Sequence, residues 1–447
     1  MFSKQHYFYK IKDWMVIENI QGQRYLISAK GFHFLGLIRD HCRNNNLQGT
    51  LSAADLLPVN DDPEYKQFVS FLDQIGFLSA DINSVESIEN TTSDKVAQGL
   101  SRNDNLYYQL QKDMYYQHLP EKVQMEVESL CNYNCKYCVR GGSVPYNSKL
   151  MLTLRDYQKL FAEFENLGIS ELTISGGEPF LRKDINDILL LTSDFGFKLR
   201  VFTNASLITP NNIEVLKQLR LVGVQVGLYG IREDYPNFTG VDAFDDTWRG
   251  INLLKDAGIP MVLSCPITKI NRNSFQFFKS LEKDFHVNYN KLISPPKKCL
   301  PRDASPEFRL DVDDEFLNDV FVKDEPREME PNSDAHCIIG HNFICIDIIG
   351  NVYPCYNYPL PIGNLHHRSL ESIWFNNPEL DRLREINFSD VFTQCRSCES
   401  QPYCIRCMAY NLLFTGNLEQ LNSYTCNEGK FVLELNKRKA ATANDKR

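Results

Sequence analysis

Apolar residues fall along this chain in two different periods, and the architecture should change where the period does. In the first 80 residues two β-rich runs, 14–20 and 24–29, flank a turn at Gly22 and predict a hairpin. Helical spacing follows. Phe34, Leu37, Ile38 and His41 share one face, and Tyr65, Phe68, Val69, Leu72 and Ile75 recur at the 3.6-residue period in a segment opened by Pro63. Two strands followed by helices describe a small winged-helix-like unit over 1–85. The stretch 83–105 is polar and lacks a period, so 86–120 reads as linker.

From 121 to 300 the pattern becomes an alternation. Strands are expected at 123–128, 171–177, 198–204, 224–230, 260–268 and 288–294, with amphipathic helices between them. Several helices end at glycine (Gly168, Gly196, Gly223, Gly258), the residue that accepts a left-handed stop. Repeated βα units predict a parallel sheet with right-handed crossovers, whose ligands bind at the C-terminal strand ends. Six units are too few for a closed eight-unit barrel. They predict an α/β fold, a partial (β/α)6 barrel with an open side. Acidic runs and prolines make 301–336 a surface connection, and 337–435 holds only short elements among many Cys, Gly and Asn, as where metal sites replace an apolar core. Residues 436–447 read as a disordered basic tail.

Composition narrows the function. With 48 Lys+Arg against 57 Asp+Glu, the formal charge of −9 gains little from the counterion release that drives nonspecific nucleic-acid binding. No apolar run approaches the roughly 18 residues of a membrane span, and the start MFSKQHYFYK has no signal-peptide pattern. A cytoplasmic protein with neither nucleic-acid nor membrane partners is expected. In a reducing cytosol 14 cysteines are metal ligands before they are disulfides. They are unevenly placed: three lie between Cys131 and Cys138 and eight between Cys337 and Cys426. Cys42 and Cys265 read as buried apolar thiols, and Cys299 follows the sixth strand. His336, His341, His366 and His367 read as ordinary histidines beside these sites.

CNYNCKYC sets Cys131, Cys135 and Cys138 directly after the first barrel strand. Three thiolates hold a 4Fe-4S cluster and leave one iron open, whereas zinc would want a fourth ligand close by. The spacing, with aromatic Tyr137 before the last cysteine, resembles that of the radical S-adenosylmethionine (SAM) enzymes. SGGEP (175–179) taken alone is a strand-to-helix turn; at this separation it resembles the family's Gly-Gly-Glu motif, in which Gly176, Gly177 and the Glu178 carboxylate would hold the SAM amino group. Thr203 and Asn204 resemble the ribose-contacting segment, and GLYG (227–230) the fourth-strand motif. Many relatives carry Ser where this chain has Gly227, which leaves one contact to the SAM carboxylate unfilled. The His-Asp pair common shortly afterwards is replaced by YPN (235–237).

The C-terminal cysteines resemble the SPASM module, which holds two auxiliary 4Fe-4S clusters. The resemblance implies that Cys395, Cys398, Cys404 and Cys426 bind the outer cluster and Cys337, Cys355 and Cys407 the inner one, with Cys345 as a possible fourth ligand there. Cys404 and Cys407 are separated by two residues where the usual pattern has three. In isolation the paired Cys-x2-Cys motifs fit a zinc ribbon. The N-terminal unit resembles the peptide-recognition element of enzymes that modify ribosomally made peptides, which binds a leader as an added strand. Together these resemblances imply an enzyme that uses a 5′-deoxyadenosyl radical to cross-link or otherwise oxidise a precursor peptide, with an electron donor such as a flavodoxin or ferredoxin. The alternatives are a sulfatase-maturase-like enzyme acting on a protein and a non-enzymatic zinc-bearing interaction protein.

Overall fold

The computed structural model describes residues 6–11, 14–19, 24–27, 33–34, 37–38, 53–74, 97–100, 115–143, 145–290, 310, 316, 339–386 and 391–444. Cys42, Cys299 and Cys337, most of the expected first helix and most of the 301–336 connection lie outside them.

The N-terminal unit contains the expected hairpin, β2 (Trp14–Asn19) against β3 (Arg24–Ile27), within an antiparallel sheet ordered β1-β2-β3-β4. The outer strands, β1 (His6–Ile11) and β4 (Ala97–Leu100), were not foreseen. β4 corrects the reading of 83–105 as linker. Its four residues pair with β3 from Arg24↔Leu100 to Ile27↔Ala97, and backbone hydrogen bonds need no apolar pattern to form. The second expected helix is present as α1 (Pro63–Gln74), with Tyr65, Phe68, Val69 and Leu72 buried.

The six barrel strands are β5 (Lys122–Glu128), β6 (Glu171–Gly176), β7 (Lys198–Thr203), β8 (Leu221–Gly227), β9 (Met261–Pro266) and β10 (His286–Asn290), paired in sequence order and all parallel. The helices between them are α2 (Leu154–Asn166), α3 (Ile185–Asp194), α4 (Pro210–Leu216), α5 (Tyr235–Thr239), α6 (Phe244–Asp256) and α7 (Phe275–Leu281). Val123, Met125, Val127, Leu172, Ile174, Leu199, Val201, Val224 and Val226 join one core with Phe161 and Phe164 of α2 and Ile188 and Leu189 of α3. Alternate strand positions carry Gln124, Glu126, Glu128 and Ser175, so period-2 alternation puts polar groups on the opposite face, where Gln124 Nε2 donates to Ser175 Oγ at 2.9 Å. Thr153 and Asp156 close a capping box at the start of α2, and Thr209 and Asn212 another at α4. Gly168, Gly196 and Gly258 are left-handed stops as expected. Gly223 is not: it lies within β8, where a Cβ would stand 3.2 Å from the Pro260 carbonyl of the neighbouring strand.

The Cys-rich segment does not form a layer of its own. Its strands β11 (Phe343–Ile346), β12 (Asn351–Tyr353) and β13 (Gly363–Asn364) continue the barrel sheet, giving nine strands ordered β10-β9-β8-β7-β6-β5-β11-β12-β13. β11 lies parallel to β5, with Cys345 opposite Gln124. Ile344, Ile346 and Val352 join the barrel core, as do Leu370, Ile373 and Trp374 of α8 (Leu370–Phe375) and Leu380 of α9 (Pro378–Glu385). Two further helices follow, α10 (Met408–Thr415) and α11 (Ser423–Asn444). The expected disordered tail is therefore helical to Asn444; its Lys, Arg and Ala residues are strong helix formers that extend a helix already begun in the module. Among the described residues no helix is long and apolar enough to cross a membrane.

Candidate active site at the strand ends

β5 ends at Glu128 and the chain turns at once into the cysteine loop. The Glu128 carboxylate accepts the Ser129 and Leu130 amides at 2.8 and 3.0 Å, which fixes the exit of the strand. The loop is then tied at several points. Ser143 Oγ accepts from the Cys131 amide at 2.9 Å, and the Asn134 and Lys136 amides donate to the Thr239 and Phe238 carbonyls of α5 at 2.8 and 3.2 Å. This supplies a consequence for YPN in place of His-Asp. Tyr235 opens α5 and is buried, and the far end of that helix holds the loop on both sides of Cys135, through Asn134 and Lys136.

Cys131, Cys135 and Cys138 are brought together, each partly exposed. Burial pushes the Cys131 thiol up to about 11 and Cys135 well above its ordinary range, and in both cases the neighbouring cysteines add to the shift. Such thiols stay protonated until a metal takes the proton's place, which is the behaviour of a ligand set. Arg140 is engaged elsewhere, its Nε 2.9 Å from Glu126 Oε2 in a buried ion pair. Sequence reasoning missed this pair; its signal was an acidic residue inside a β-rich run and a basic residue just past the third cysteine.

Gly176 and Gly177 permit a close approach. A Cβ on Gly177 would overlap the Leu130 carbonyl, and one on Gly176, which has φ 146°, would overlap the Glu128 carbonyl. The Gly177 and Glu178 amides donate to Glu128 and Leu130 carbonyls at 2.7 and 2.9 Å, so the end of β6 runs against the cysteine loop. The Glu178 carboxylate is engaged by donors of the chain itself. It is 0% exposed and points into the wall, where Oε1 accepts from Thr203 Oγ1 at 2.7 Å and the Phe180 amide at 3.1 Å, and Oε2 accepts from the Asn204 amide at 2.8 Å. Burial raises its pKa to about 7, against the lowering effect of those three donors. A fully enclosed carboxylate locks β6 to β7.

Thr203 and Asn204 are both buried in this network. Asn204 Nδ2 donates to Asn132 Oδ1 at 2.9 Å and lies 3.9 Å from Cys131 Sγ, while its Oδ1 accepts from Ser206 Oγ at 2.6 Å. Asn132 and Ser206 are thus part of the site, although no spacing rule marked them. Tyr137 sits in an aromatic wall, its ring 4.5 Å from Phe238 and 5.8 Å from Tyr229. Tyr133 adds an edge 6.3 Å from Tyr229.

Of the C-terminal cysteines, Cys395, Cys398, Cys404 and Cys426 lie within electrostatic reach of one another. The Cys404 thiol hydrogen-bonds to Cys426, whose pKa is lowered to about 6 while that of Cys404 rises. A Cβ on Gly429 of α11 would stand 3.1 Å from Cys404, so the helix that carries Cys426 seats directly on the Cys404 loop. Cys355 and Cys407 share Tyr410 as a neighbour. Cys345 is buried on β11 beside Tyr353 and Tyr356, and Tyr356 in turn neighbours Cys138. Among the described residues no three His, Cys, Asp or Glu side chains converge on one ion-sized point. Cys265 is core, as expected.

Comparison with known proteins agrees with this geometry. Residues 125–278 match the radical SAM superfamily model and residues 337–399 the SPASM iron-sulfur cluster-binding domain. AdoMet-dependent heme synthase of Methanosarcina barkeri is 26% identical over 341 residues, covering 68% of this chain and 96% of that protein. The antilisterial bacteriocin subtilosin biosynthesis protein AlbA of Bacillus subtilis is 25% identical over 309 residues, covering 65% and 67%. The structure of Streptococcus suis SuiB bound to precursor peptide SuiA has the same fold, with a TM-score of 0.58 at 16% identity over 94% of this chain and all of that one. With the cysteine loop after β5, the glycine approach at β6 and the thiol-rich module continuing the sheet, the chain carries a radical SAM domain over 125–278 and a SPASM domain over 337–399.

Proposed function

We propose that this radical SAM enzyme oxidatively modifies a ribosomally made precursor peptide, forming a thioether, carbon-carbon or similar cross-link. The observation that carries the reading is the N-terminal antiparallel sheet ahead of the barrel, whose outer strands β1 and β4 each pair on one side among the described residues. Such an edge receives an extended peptide through backbone hydrogen bonds. The SuiB match supports the reading because it spans 94% of this chain, whereas the heme synthase alignment leaves about a third outside it.

The residues fit the implied cofactors. Cys131, Cys135 and Cys138 would hold the first cluster, with Gly176 and Gly177 presenting backbone carbonyls to the SAM amino group and Tyr137, Thr203 and Asn204 lining the remainder. Cys395, Cys398, Cys404 and Cys426 would hold the outer auxiliary cluster, and Cys337, Cys355, Cys407 and Cys345 the inner one. When loaded, the first cluster with SAM supplies a 5′-deoxyadenosyl radical that takes hydrogen from an unactivated carbon, and the auxiliary clusters supply an acceptor for the electron released. The chain's own part is to position the target carbon and exclude water, through the rigid strand ends and the tied loop. A flavodoxin or ferredoxin would serve as electron donor.

The competing reading, heme formation, is favoured by the 96% coverage of the heme synthase. Anaerobic turnover with SAM and reductant separates the two. A precursor peptide encoded beside the gene should speed 5′-deoxyadenosine release and lose the mass of a hydrogen pair per cross-link. Acceleration by a heme precursor and not by the peptide would overturn the proposal.

A further inference from the structure

The central strand β7 carries a cation in a row where the neighbouring strands carry small or neutral residues. Leu199 and Val201 belong to the core under the helices, so the two-residue period turns Arg200 to the opposite, inner face of the barrel sheet. The side chain is exposed there. Its partner across one flank is Thr173 of β6, and across the other Gly223 of β8, which has no side chain. Beyond Thr173 stands Gln124, whose amide already donates to Ser175. Room is left on both sides of the guanidinium.

The other charges of this face are matched. The six barrel strands carry three carboxylates, all on the inner face, and each is engaged. Glu171 lies 3.4 Å from Lys122 and 3.9 Å from Lys198, Glu126 pairs with Arg140 at 2.9 Å, and Glu128 accepts the Ser129 and Leu130 amides. Among the described residues Arg200 makes no ion pair, hydrogen bond or ring contact. A guanidinium offers a flat fork of N–H donors that matches a carboxylate through two parallel hydrogen bonds. Thr203 of the site lies three residues further along β7, which sets Arg200 roughly 10 Å below it, the span of about three residues of extended peptide.

We propose that Arg200 binds a carboxylate of the substrate inside the barrel and so selects peptides with an acidic group close to the residue that is modified. The proposal rests on the peptide reading above. An Asp or Glu side chain and a peptide C-terminus present the same two oxygens, so the chemistry recognised is the carboxylate itself. On an open surface such a pair contributes little; inside a barrel that substrate closes to water it contributes more, because the local dielectric is lower.

The test measures affinity by calorimetry on the full chain, reconstituted anaerobically and loaded with SAM without reductant, with the precursor peptide encoded beside the gene. Arg200→Gln should weaken binding about 30-fold, as for loss of a hydrogen-bonded charged partner, at unchanged iron content and circular dichroism. Arg200→Lys, which keeps the charge and loses the fork, should fall between the two. A peptide series then replaces each Asp by Asn and each Glu by Gln, one at a time, and amidates the C-terminus. One member should bind the wild type about 30-fold more weakly and lose nothing further with Arg200→Gln, which identifies side chain or terminus as the source. Unchanged affinity of Arg200→Gln for the unaltered peptide would overturn the proposal. A loss that adds to that of every peptide variant would do the same, since it marks a structural role. Absence of peptide binding by the wild type would instead sink the reading beneath the proposal.

Discussion

Glu178 is the most informative single group to perturb, because its environment makes a quantitative demand. The carboxyl is 0% exposed and its pKa of about 7 stands well above the ordinary 4.5, with burial as the main cause. The folded chain therefore holds a proton at pH values where the unfolded chain has released it. Stability from this group is complete below about pH 4.5, falls as pH rises to 7 and is level above that. A difference of 2.5 units corresponds to about 3 kcal/mol. Glu178→Gln keeps an acceptor for Thr203 and Phe180 but cannot ionise, so the term vanishes in the variant. Thermal unfolding of wild type and variant, followed by circular dichroism from pH 5 to 8, isolates the group because every other titration cancels in the difference. The variant's midpoint should gain on the wild type by about 6 to 12 °C over that range, for a unit of roughly 150 to 250 residues. Parallel curves would refute the argument and show that the carboxyl ionises as freely in the folded chain as in water.

The glycine approach predicts that Gly177→Ala, whose Cβ meets the Leu130 carbonyl, costs about 2 kcal/mol and lowers iron loading at the cysteine loop, read by iron analysis at unchanged circular dichroism. Iron should fall from about 12 to about 8 per chain in Cys398→Ala while SAM still binds, whereas Cys135→Ala should lose about as much iron and SAM binding with it. His341, 7% exposed, has its pKa lowered to about 4 chiefly by burial, and its Nδ1 lies 3.0 Å from that of His118. Its stabilising contribution is present above pH 6.5 and lost as pH falls toward 4, so His341→Asn should show less acid sensitivity in that window, read by unfolding midpoint.

The barrel was legible because its strands and helices each bury one face, and burial writes a period into the sequence. All six strands and the glycine stops at 168, 196 and 258 followed from that rule. Short strands at a sheet edge escaped the same rule. β4 carries only four residues in a polar stretch, β11 adds four to the edge of β5, and neither leaves a pattern long enough to read. At the site, spacing found the thiols because cluster chemistry fixes residue type. It could not find Asn132, Ser206 or the Glu126–Arg140 pair, whose roles depend on contacts between distant segments. Glu178 was found by motif, but its contacts with Thr203, Phe180 and Asn204 were not, since they too join separate segments.

The continuity of the sheet across β5 and β11 has a mechanical consequence for the site. β5 is the strand that delivers the cysteine loop, and on its other side it pairs with β6, which delivers the glycines. β11 carries Cys345 opposite Gln124, and the hairpin that follows leads directly to Cys355. The two thiol regions are therefore joined through adjacent strands of one sheet, with Tyr356 beside both Cys345 and Cys138. Ile344, Ile346, Leu370 and Trp374 belong to the same core as Val123 and Met125, so movement of the module relative to the barrel would open that core. At about 1.5 to 3 kcal/mol for each fully buried side chain, such movement is far costlier than a hinge between separate domains. The spacing between the cysteine loop and the thiols that follow β11 is thus fixed by folding itself.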